Sequence, residues 1–328
     1  MLKSELKAYV SVIKGLAKNR TPFKEVAIKD GTMQATNLDS VYTLKTNIKG
    51  SGVYNSKALD LYTLDPNTDL DIYRENDLED WIELPEIKWG AELNLGTRHA
   101  RRTLGEEIIY SVGFCSQDEM RPALTAVWLK NGEVMATDGY RAYASGNLAE
   151  LDNFLAALPA PLVKAYKRLA KYGTWTLTLG EDKNHNGVVK FSNGHIELMA
   201  KQIEGHFPDV RQLMNNNREF NYRVIIPIDK VKTLQDRFND DLEIAFDGSM
   251  TLNSRPLPFK ATVVEALYTF DEDQNHRGLI MGRNLKSSQN LLNVSVRLLS
   301  DFETDNGEIQ LRVLKTTTKT PNLCFAVV

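Results

Sequence analysis

The stretch RPALTAVWLKNGEVMATDGYRAYAS at Arg121–Ser145 decides the fold, because its pattern recurs in other parts of the chain. It reads as an apolar strand, a tight Asn-Gly turn, a second strand that ends in Ala-Thr, and a polar loop. A similar unit, EVAIKDGTMQATNLDSVY, lies at Glu25–Tyr42, and a third, LEIAFDGSMTLNS, lies at Leu242–Ser254. A chain that repeats one unit three times is expected to fold as three similar domains.

Helices and further hairpins flank each of the three units in the same order. Helical spacing of apolar residues predicts helices at 2–18, 56–64, 103–114, 161–172, 229–238 and 285–293, and Asn-Gly turns predict two more hairpins, at 193–194 and 306–307. Antiparallel hairpins with two helices against one sheet face in each domain predict an α+β fold. We place the domain boundaries at 1–90, 91–217 and 218–328.

The composition is that of an ordinary globular protein that works inside the cell. The 328 residues are 42% hydrophobic and 25% charged, enough for several domains with their own cores. The N-terminal segment lacks the continuous apolar core of a signal peptide, and no run is long enough to span a membrane. Two cysteines, Cys115 and Cys324, lie in apolar surroundings, which favours reduced thiols and a cytoplasmic location over a lone disulfide.

Positive charge is concentrated on two of the predicted helices, although the net charge of the chain is −3. The helix at 161–172 has no acidic residue and carries four basic residues on one face: Lys164, Lys167, Arg168 and Lys171. The first helix carries four lysines, followed by Arg20, against the single acidic residue Glu5. Such faces are either simply solvated or suited to bind phosphates without reading sequence.

Motifs of catalysis and of cofactor binding are missing from the sequence. There is no phosphate-binding glycine loop, HExxH, CxxC or GxSxG motif, and the five histidines lack the spacing of metal ligands. An acidic stretch at 65–83 could supply carboxylates for two-metal chemistry, but its charge density favours a solvated loop. We therefore expect a protein that is not an enzyme and that needs no metal or other cofactor.

The motif at 121–145, followed by EGHFPDVRQL at Glu204–Leu213, resembles the bacterial DNA polymerase III beta subunit, the sliding clamp. The resemblance is clear over 100–215, reasonable over 1–60 and weaker over 219–328. It implies a DNA-clamp architecture of three similar domains, in which a head-to-tail homodimer closes a ring of six domains around double-stranded DNA. Such a ring tethers a DNA polymerase, and its phosphate contacts permit sliding because they are independent of sequence.

The resemblance also assigns two sets of site residues. The expected DNA-binding residues are Arg20, Lys57, Lys164, Lys167, Arg168 and Lys171. A pocket for a peptide of the polymerase or clamp loader is expected from Leu124, Thr137, Gly139, Tyr140, Arg141, Ala142, Pro208, Gln212, Leu213 and Phe325. The turn residues among them can equally serve only to shape a loop, and Pro208 to end a strand.

The sequence departs from the family pattern at several positions. Tyr140 stands where histidine is common, Ala142 where leucine is common, and Gln212 where arginine is often found. The chain is also shorter than typical members, which favours a divergent clamp of the kind that a phage or mobile element carries. Two alternatives follow: a clamp-fold adaptor or decoy that binds replication proteins without encircling DNA, and a metal-dependent nuclease that uses the 65–83 carboxylates.

Overall fold

The computed structural model describes residues 3–17, 25–46, 51–55, 60, 63, 74–76, 86–99, 102–145, 148–208, 210, 219–234, 240–269, 278–281, 290–296, 299, 307–314 and 323–327. The helices are α1 (Lys3–Ala17), α2 (Leu104–Ser111), α3 (Ala160–Leu169) and α4 (Ile228–Thr233). The first strands are β1 (Glu25–Lys29), β2 (Thr32–Thr36), β3 (Ser40–Lys45), β4 (Gly52–Asn55), β5 (Arg74–Asn76), β6 (Ile87–Asn94), β7 (Arg98–His99), β8 (Arg102–Thr103), β9 (Ala126–Lys130), β10 (Glu133–Thr137), β11 (Arg141–Ala144) and β12 (Leu155–Pro159). The later strands are β13 (Thr176–Asp182), β14 (Gly187–Ser192), β15 (Ile196–Lys201), β16 (Glu219–Ile226), β17 (Asp241–Ala245), β18 (Ser249–Leu252), β19 (Arg255–Lys260), β20 (Thr262–Thr269), β21 (Gly278–Met281), β22 (Asn290–Ser295), β23 (Ile309–Leu314) and β24 (Leu323–Val327).

The chain divides into two compact units, and each is described by itself. Unit 1 consists of Met1–Val112 and Phe154–Glu204, and unit 2 of Gly113–Asn153 and Gly205–Val328. The three domain boundaries expected from the sequence remain a prediction.

Unit 1 is an antiparallel sheet with helices layered on one face. The nine strands run in the order β5-β4-β1-β2-β3-β15-β14-β13-β6, and α1 and α3 pack against each other and against β2 and β15. Tyr166 of α3 stacks on Phe191 of β14 with ring centroids 4.6 Å apart. Buried Tyr42 and Leu198, which face each other across β3 and β15, continue this core. Burial of these large apolar surfaces is what holds the helices on the sheet.

Unit 2 contains two antiparallel sheets. Eight of its strands run in the order β9-β10-β11-β21-β24-β23-β16-β20, and four more form the sheet β19-β18-β17-β22. Alternate residues along β17 and β18 are buried, which gives the smaller sheet one apolar face. The α+β class with antiparallel hairpins, expected from the sequence, is confirmed.

All three repeated hairpins are present, but the third has a different turn. The first two are two-residue turns in which both residues have positive φ: Asp30 46°, Gly31 75°, Asn131 54° and Gly132 76°. Such turns match the right-handed twist of the strands. In the third hairpin, three residues separate β17 from β18, and Gly248 (φ 80°) donates its N–H to Ala245 O at 3.0 Å. The loop therefore has three residues, a difference that the Asp-Gly pair alone does not predict.

The predicted helices around 103–114, 161–172 and 229–238 are confirmed as α2, α3 and α4, with ends that differ by a few residues. The prediction for 285–293 is wrong over its last four residues, because β22 begins at Asn290. There Leu291, Leu292 and Val294 are all buried, and a strand buried on both faces lacks the alternation of apolar and polar residues that would reveal it.

Most of the predicted helix at 56–64, and of the acidic stretch at 65–83, lies outside the described residues, although 74–76 form β5. Gly307 has φ 75°, as a turn requires, but the described partners of β23 are β16 and β24, and the hairpin partner expected before it lies outside the described residues.

Candidate functional site

The turn between β10 and β11 is shaped by its own side chains. Thr137 Oγ1 donates to Arg141 O at 2.7 Å and accepts the N–H of Gly139 at 3.1 Å. Asp138 Oδ1 accepts the N–H groups of Tyr140 (2.9 Å) and Arg141 (3.0 Å). Gly139 has φ 87°, a conformation that glycine adopts at little cost. The result is a fixed loop that presents Tyr140, 59% exposed, to solvent.

Arg141 directs its guanidinium into unit 2. Its side chain is 4% exposed, lies 3.3 Å from Asp138 Oδ2 through Nε, and donates from Nη2 to Gly113 O at 2.8 Å. The guanidinium also lies 4.9 Å from the ring centroid of Phe114, which stacks on Tyr143. Buried arginines need such partners for their charge. Arg141 therefore connects the turn to the segment at 113–114, and its charge is buried.

Leu124 and Arg121 lie next to Gly139 of the turn. A Cβ atom at Gly139 would be 3.2 Å from Arg121 Nη1 and 3.9 Å from Leu124 Cδ1. Arg121 is half exposed and pairs with Asp118 at 2.8 Å, and the hydrogen bond from Arg121 is the main cause that lowers the pKa of Asp118. Met120, which precedes Arg121 in the chain, is 89% exposed. Sequence reasoning missed Arg121 and Met120 as site residues, although Arg121 opens the repeated motif.

Three of the expected pocket residues share one row across the sheet. Thr137 pairs with Ala142, Ala142 with Leu279 of β21, and Leu279 with Phe325 of β24. Paired residues lie side by side on antiparallel strands. Thr137 and Ala142 are themselves buried, so they underlie the surface that the turn exposes.

Pro208 is exposed and follows an anchored residue in unit 2. Phe207 is buried and packs on Trp128 with ring centroids 5.6 Å apart, and Trp128 Nε1 donates to Ala123 O at 2.8 Å. Phe207 is thus a core anchor. Pro208 does not end a strand, because β15 ends at Lys201 and no strand lies in the described residues between Lys201 and Pro208. Gln212 and Leu213 lie outside the described residues.

The basic face of unit 1 lies on the side of α3 away from the sheet. Its members, Lys164, Lys167, Arg168 and Lys171, are all exposed, whereas Leu162, Val163, Ala165, Tyr166 and Leu169 are buried. α1 lies alongside: a Cβ at Gly15 would be 3.8 Å from Arg168 Nη1, and Tyr172 donates its hydroxyl to Ser4 O at 3.1 Å. Lys7 of α1 is exposed as well. Arg20 and Lys57 lie outside the described residues.

Two further observations concern the expected absences. Within the described ranges, no three or more His, Cys, Asp or Glu side chains are grouped as a metal site. Among the helices of the described residues, none is long and apolar enough to cross a membrane.

The fold of the chain is that of bacterial sliding clamps. The DNA polymerase III beta subunit of Thermotoga maritima matches with a TM-score of 0.61 and 16% identity, over 99% of this chain and 97% of that one. The sliding clamp of Bartonella birtlesii, solved with bound griselimycin, matches with a TM-score of 0.62 and 15% identity, over 100% and 98%. The sliding clamp of Bacillus subtilis matches with a TM-score of 0.60 and 15% identity, over 99% and 97%.

No protein-family model matches the sequence, and no curated protein sequence matches it. The structural likeness therefore stands without detectable sequence kinship, and at such low identity it establishes the fold alone. The resemblance seen in the repeated motif is confirmed at that level, as is the DNA-clamp architecture.

Proposed function

We propose that this chain is a DNA sliding clamp, a cytoplasmic processivity factor that is not an enzyme. Two copies join head to tail into a ring around double-stranded DNA, and the ring tethers a DNA polymerase and is opened by a clamp loader. The proposal is supported above all by the basic face of unit 1. A face of exposed cations on a helix without carboxylates, in a chain of net charge −3, suits phosphate contacts that do not read sequence.

The geometry of the basic face suits sliding. Lysine and arginine contact phosphates through long flexible side chains. Lys164, Lys167 and Arg168 extend from α3, whose other side is buried in the core, and Lys171 lies in the turn that follows α3. Weak, exchangeable phosphate contacts hold the duplex without fixing its register, which a moving ring requires.

The turn at 137–141 supports a docking role for unit 2. Its hydrogen bonds and the buried Arg141–Asp138 pair hold the loop rigid, and a rigid site costs less entropy when a partner binds. Tyr140 exposes apolar surface within the turn, and Met120 does so next to Arg121, which lies against Gly139. Together with exposed Pro208 they would supply the apolar surface that short extended peptide segments need for their anchors.

Topological retention on circular DNA tests the ring. The protein is diluted until dimers dissociate, reconcentrated with a nicked circular plasmid, and separated from free protein by gel filtration. Half of the isolated complex is then cut once with a restriction enzyme. A closed ring stays on the circular plasmid and slides off the linear one. A protein that only binds the DNA surface is retained to the same extent on both.

Solution mass separates the clamp from the adaptor. Light scattering over a concentration series should give about twice the 37.0 kDa of one chain. A persistent monomer that binds replication proteins yet never stays on circles would favour the adaptor.

Docking is tested with two exposed residues of the proposed site. Tyr140→Ala and Pro208→Ala should each weaken binding of the cognate polymerase about tenfold in surface plasmon resonance, since interface anchors cost more than 1 kcal/mol when truncated. Leu234→Ala removes an apolar side chain of similar exposure elsewhere in unit 2 and should leave affinity unchanged.

A further inference from the structure

Unit 1 contains a copy of the candidate docking turn. Thr36 Oγ1 donates to Ser40 O at 2.9 Å and accepts the N–H of Leu38 at 3.0 Å. Asn37 Oδ1 accepts the N–H of Ser40 at 2.8 Å. Three of the four hydrogen bonds between side chain and backbone within the turn at 137–141 thus recur here, all but the one from the Tyr140 N–H to Asp138 Oδ1, so the repeat extends to side-chain hydrogen bonding.

The strand pairing beside the turn is copied too. Thr36 pairs with Val41, Val41 with Met199 of β15, and Met199 with Lys190 of β14. In unit 2 the corresponding row is Thr137, Ala142, Leu279 and Phe325. The position that corresponds to the candidate peptide pocket is therefore defined in unit 1 by backbone register.

A cavity of about 150 Å³ lies at that position. We call it the unit 1 groove; its walls include Val41, Ile87, Trp89, Met199, Lys190 and Glu197. Gly180 is needed for its shape, because a Cβ there would come within 2.7 Å of Trp89 and Ile87. Trp89 remains 38% exposed although it is large and apolar.

The groove has the size and chemistry for one apolar side chain of a peptide. A cavity of about 150 Å³ can hold a benzene molecule. Lys190 Nζ lies 4.2 Å from the Trp89 ring centroid and 3.8 Å from Glu197 Oε1. The ammonium group thus lies over one face of the Trp89 ring and pairs with the Glu197 carboxylate. Both polar groups lie at the wall of the groove, where they can meet the N–H and C=O groups that flank the anchor of an extended segment.

The tip of the copied turn is strained and exposed. Leu38 has φ 74° and is 65% exposed, at the place that Gly139 occupies in the other copy. A leucine in the left-handed region costs about 1–2 kcal/mol and gains no burial here.

We propose that the unit 1 groove is a second docking position, which takes an extended peptide segment of a partner protein anchored by one aromatic or large aliphatic side chain. This inference deepens the proposed clamp function and rests on it for the identity of the partners as replication proteins. Binding in the groove itself depends only on unit 1.

Tryptophan indole signals give a direct assay. Protein labelled with ¹⁵N-tryptophan has four indole N–H resonances, and Trp89→Phe assigns one of them. The probes are the blocked tripeptides acetyl-Gly-Phe-Gly-amide, acetyl-Gly-Leu-Gly-amide and acetyl-Gly-Gly-Gly-amide. We expect the phenylalanine peptide to shift the Trp89 signal saturably, with an affinity at least about tenfold above that of the glycine peptide, because its anchor buries a phenyl ring.

A filling variant locates the binding. Thr43 also lines the groove, and Thr43→Phe occupies the space that the anchor would take. Thr251→Phe is the matched control, since Thr251 is a half-buried strand residue of unit 2. The proposal requires loss of the Trp89 shift in Thr43→Phe and its retention in Thr251→Phe. An unmoved Trp89 signal, an equal response to all three tripeptides, or an undiminished shift in Thr43→Phe would overturn it. Retention on circular DNA is read separately, so failure of the groove and failure of the clamp are distinguishable.

Discussion

Neutralising the basic face of unit 1 should reduce DNA binding without harming the fold. The variant changes Lys164, Lys167, Arg168 and Lys171 together to glutamine. All four side chains are exposed, and glutamine forms helices nearly as well as lysine and arginine do. Surface changes of this kind alter stability by about 0.5 kcal/mol or less each, so urea unfolding should remain close to that of the parent protein.

The size of the effect follows from counterion release. Each phosphate that a cation neutralises contributes about 0.9 to the slope of log affinity against log salt concentration on duplex DNA. If all four side chains reach phosphates, the slope should become shallower by about 3.6 per chain. Fluorescence anisotropy of a labelled linear duplex, titrated at several KCl concentrations, measures this slope directly and does not require a closed ring.

A second variant with the same change in charge serves as the control. Lys45, Lys88, Lys183 and Lys201 are also exposed in unit 1, but they lie on strands and on the β13–β14 turn. Changed to glutamine, they should leave the salt slope nearly unaltered, because only the helix side is expected to face DNA. Equal slopes for the two variants would mean that net charge alone governs binding, and the basic face would then be a solvated surface.

Three other changes test the turns and their charges. Arg141→Ala should lower the free energy of unfolding in urea by about 3–5 kcal/mol, because it leaves the buried Asp138 carboxylate without its guanidinium; a loss below about 1 kcal/mol would contradict the buried pair. Gly248→Ala should destabilise the protein more than Gly194→Ala in the same assay, since both have positive φ but only the first places a Cβ 2.3 Å from a backbone oxygen; equal losses would refute this contact. Hydrogen bonds from the side chain and the N–H of Ser249 lower the pKa of Asp247 from 3.8 to about 2. The stability that Asp247→Asn removes should therefore be present above about pH 4 and be lost as the pH falls toward about 2. A difference in melting temperature between the variant and the parent that does not depend on pH would refute this linkage.

Much of the fold could be predicted because the informative signals are local. An Asn-Gly or Asp-Gly pair between apolar strands fixes a hairpin through φ values that few other residues adopt, and the turns at 30–31 and 131–132 have those values. The helix α2 was equally predictable, since Thr103 and Glu106 form a capping box at its start. β22 was not, because residues buried on both faces carry no alternation and the pairing with β17 is set by tertiary contacts.

The candidate site was predictable in position and less so in role. The motif located the turn at 137–141, but an arginine in a sequence does not reveal whether its charge faces solvent. Only the packing shows that Arg141 is enclosed by Asp138 and Phe114. Arg121 opens the repeated motif and Met120 directly precedes it, but neither residue type reveals that its side chain is exposed next to the turn.

Comparison of the two copies of the candidate docking turn shows which of its residues the turn itself requires. Both copies keep a threonine at the first position and a side-chain oxygen at the second, Asn37 in one and Asp138 in the other, because these atoms close the turn. The last position is free to differ: Ser40 leaves that place small, whereas Arg141 fills it with a buried cation. The backbone bond that closes the turn is present in both copies, from the Asn37 N–H to Ser40 O and from the Asp138 N–H to Arg141 O, and in unit 2 the ion pair of Arg141 with Asp138 is added to it. Beyond the turns, unit 1 has the groove whose walls include Trp89, and unit 2 exposes Tyr140. The repeated turn therefore specifies the local backbone, while the side chain at its last position differs between the two units.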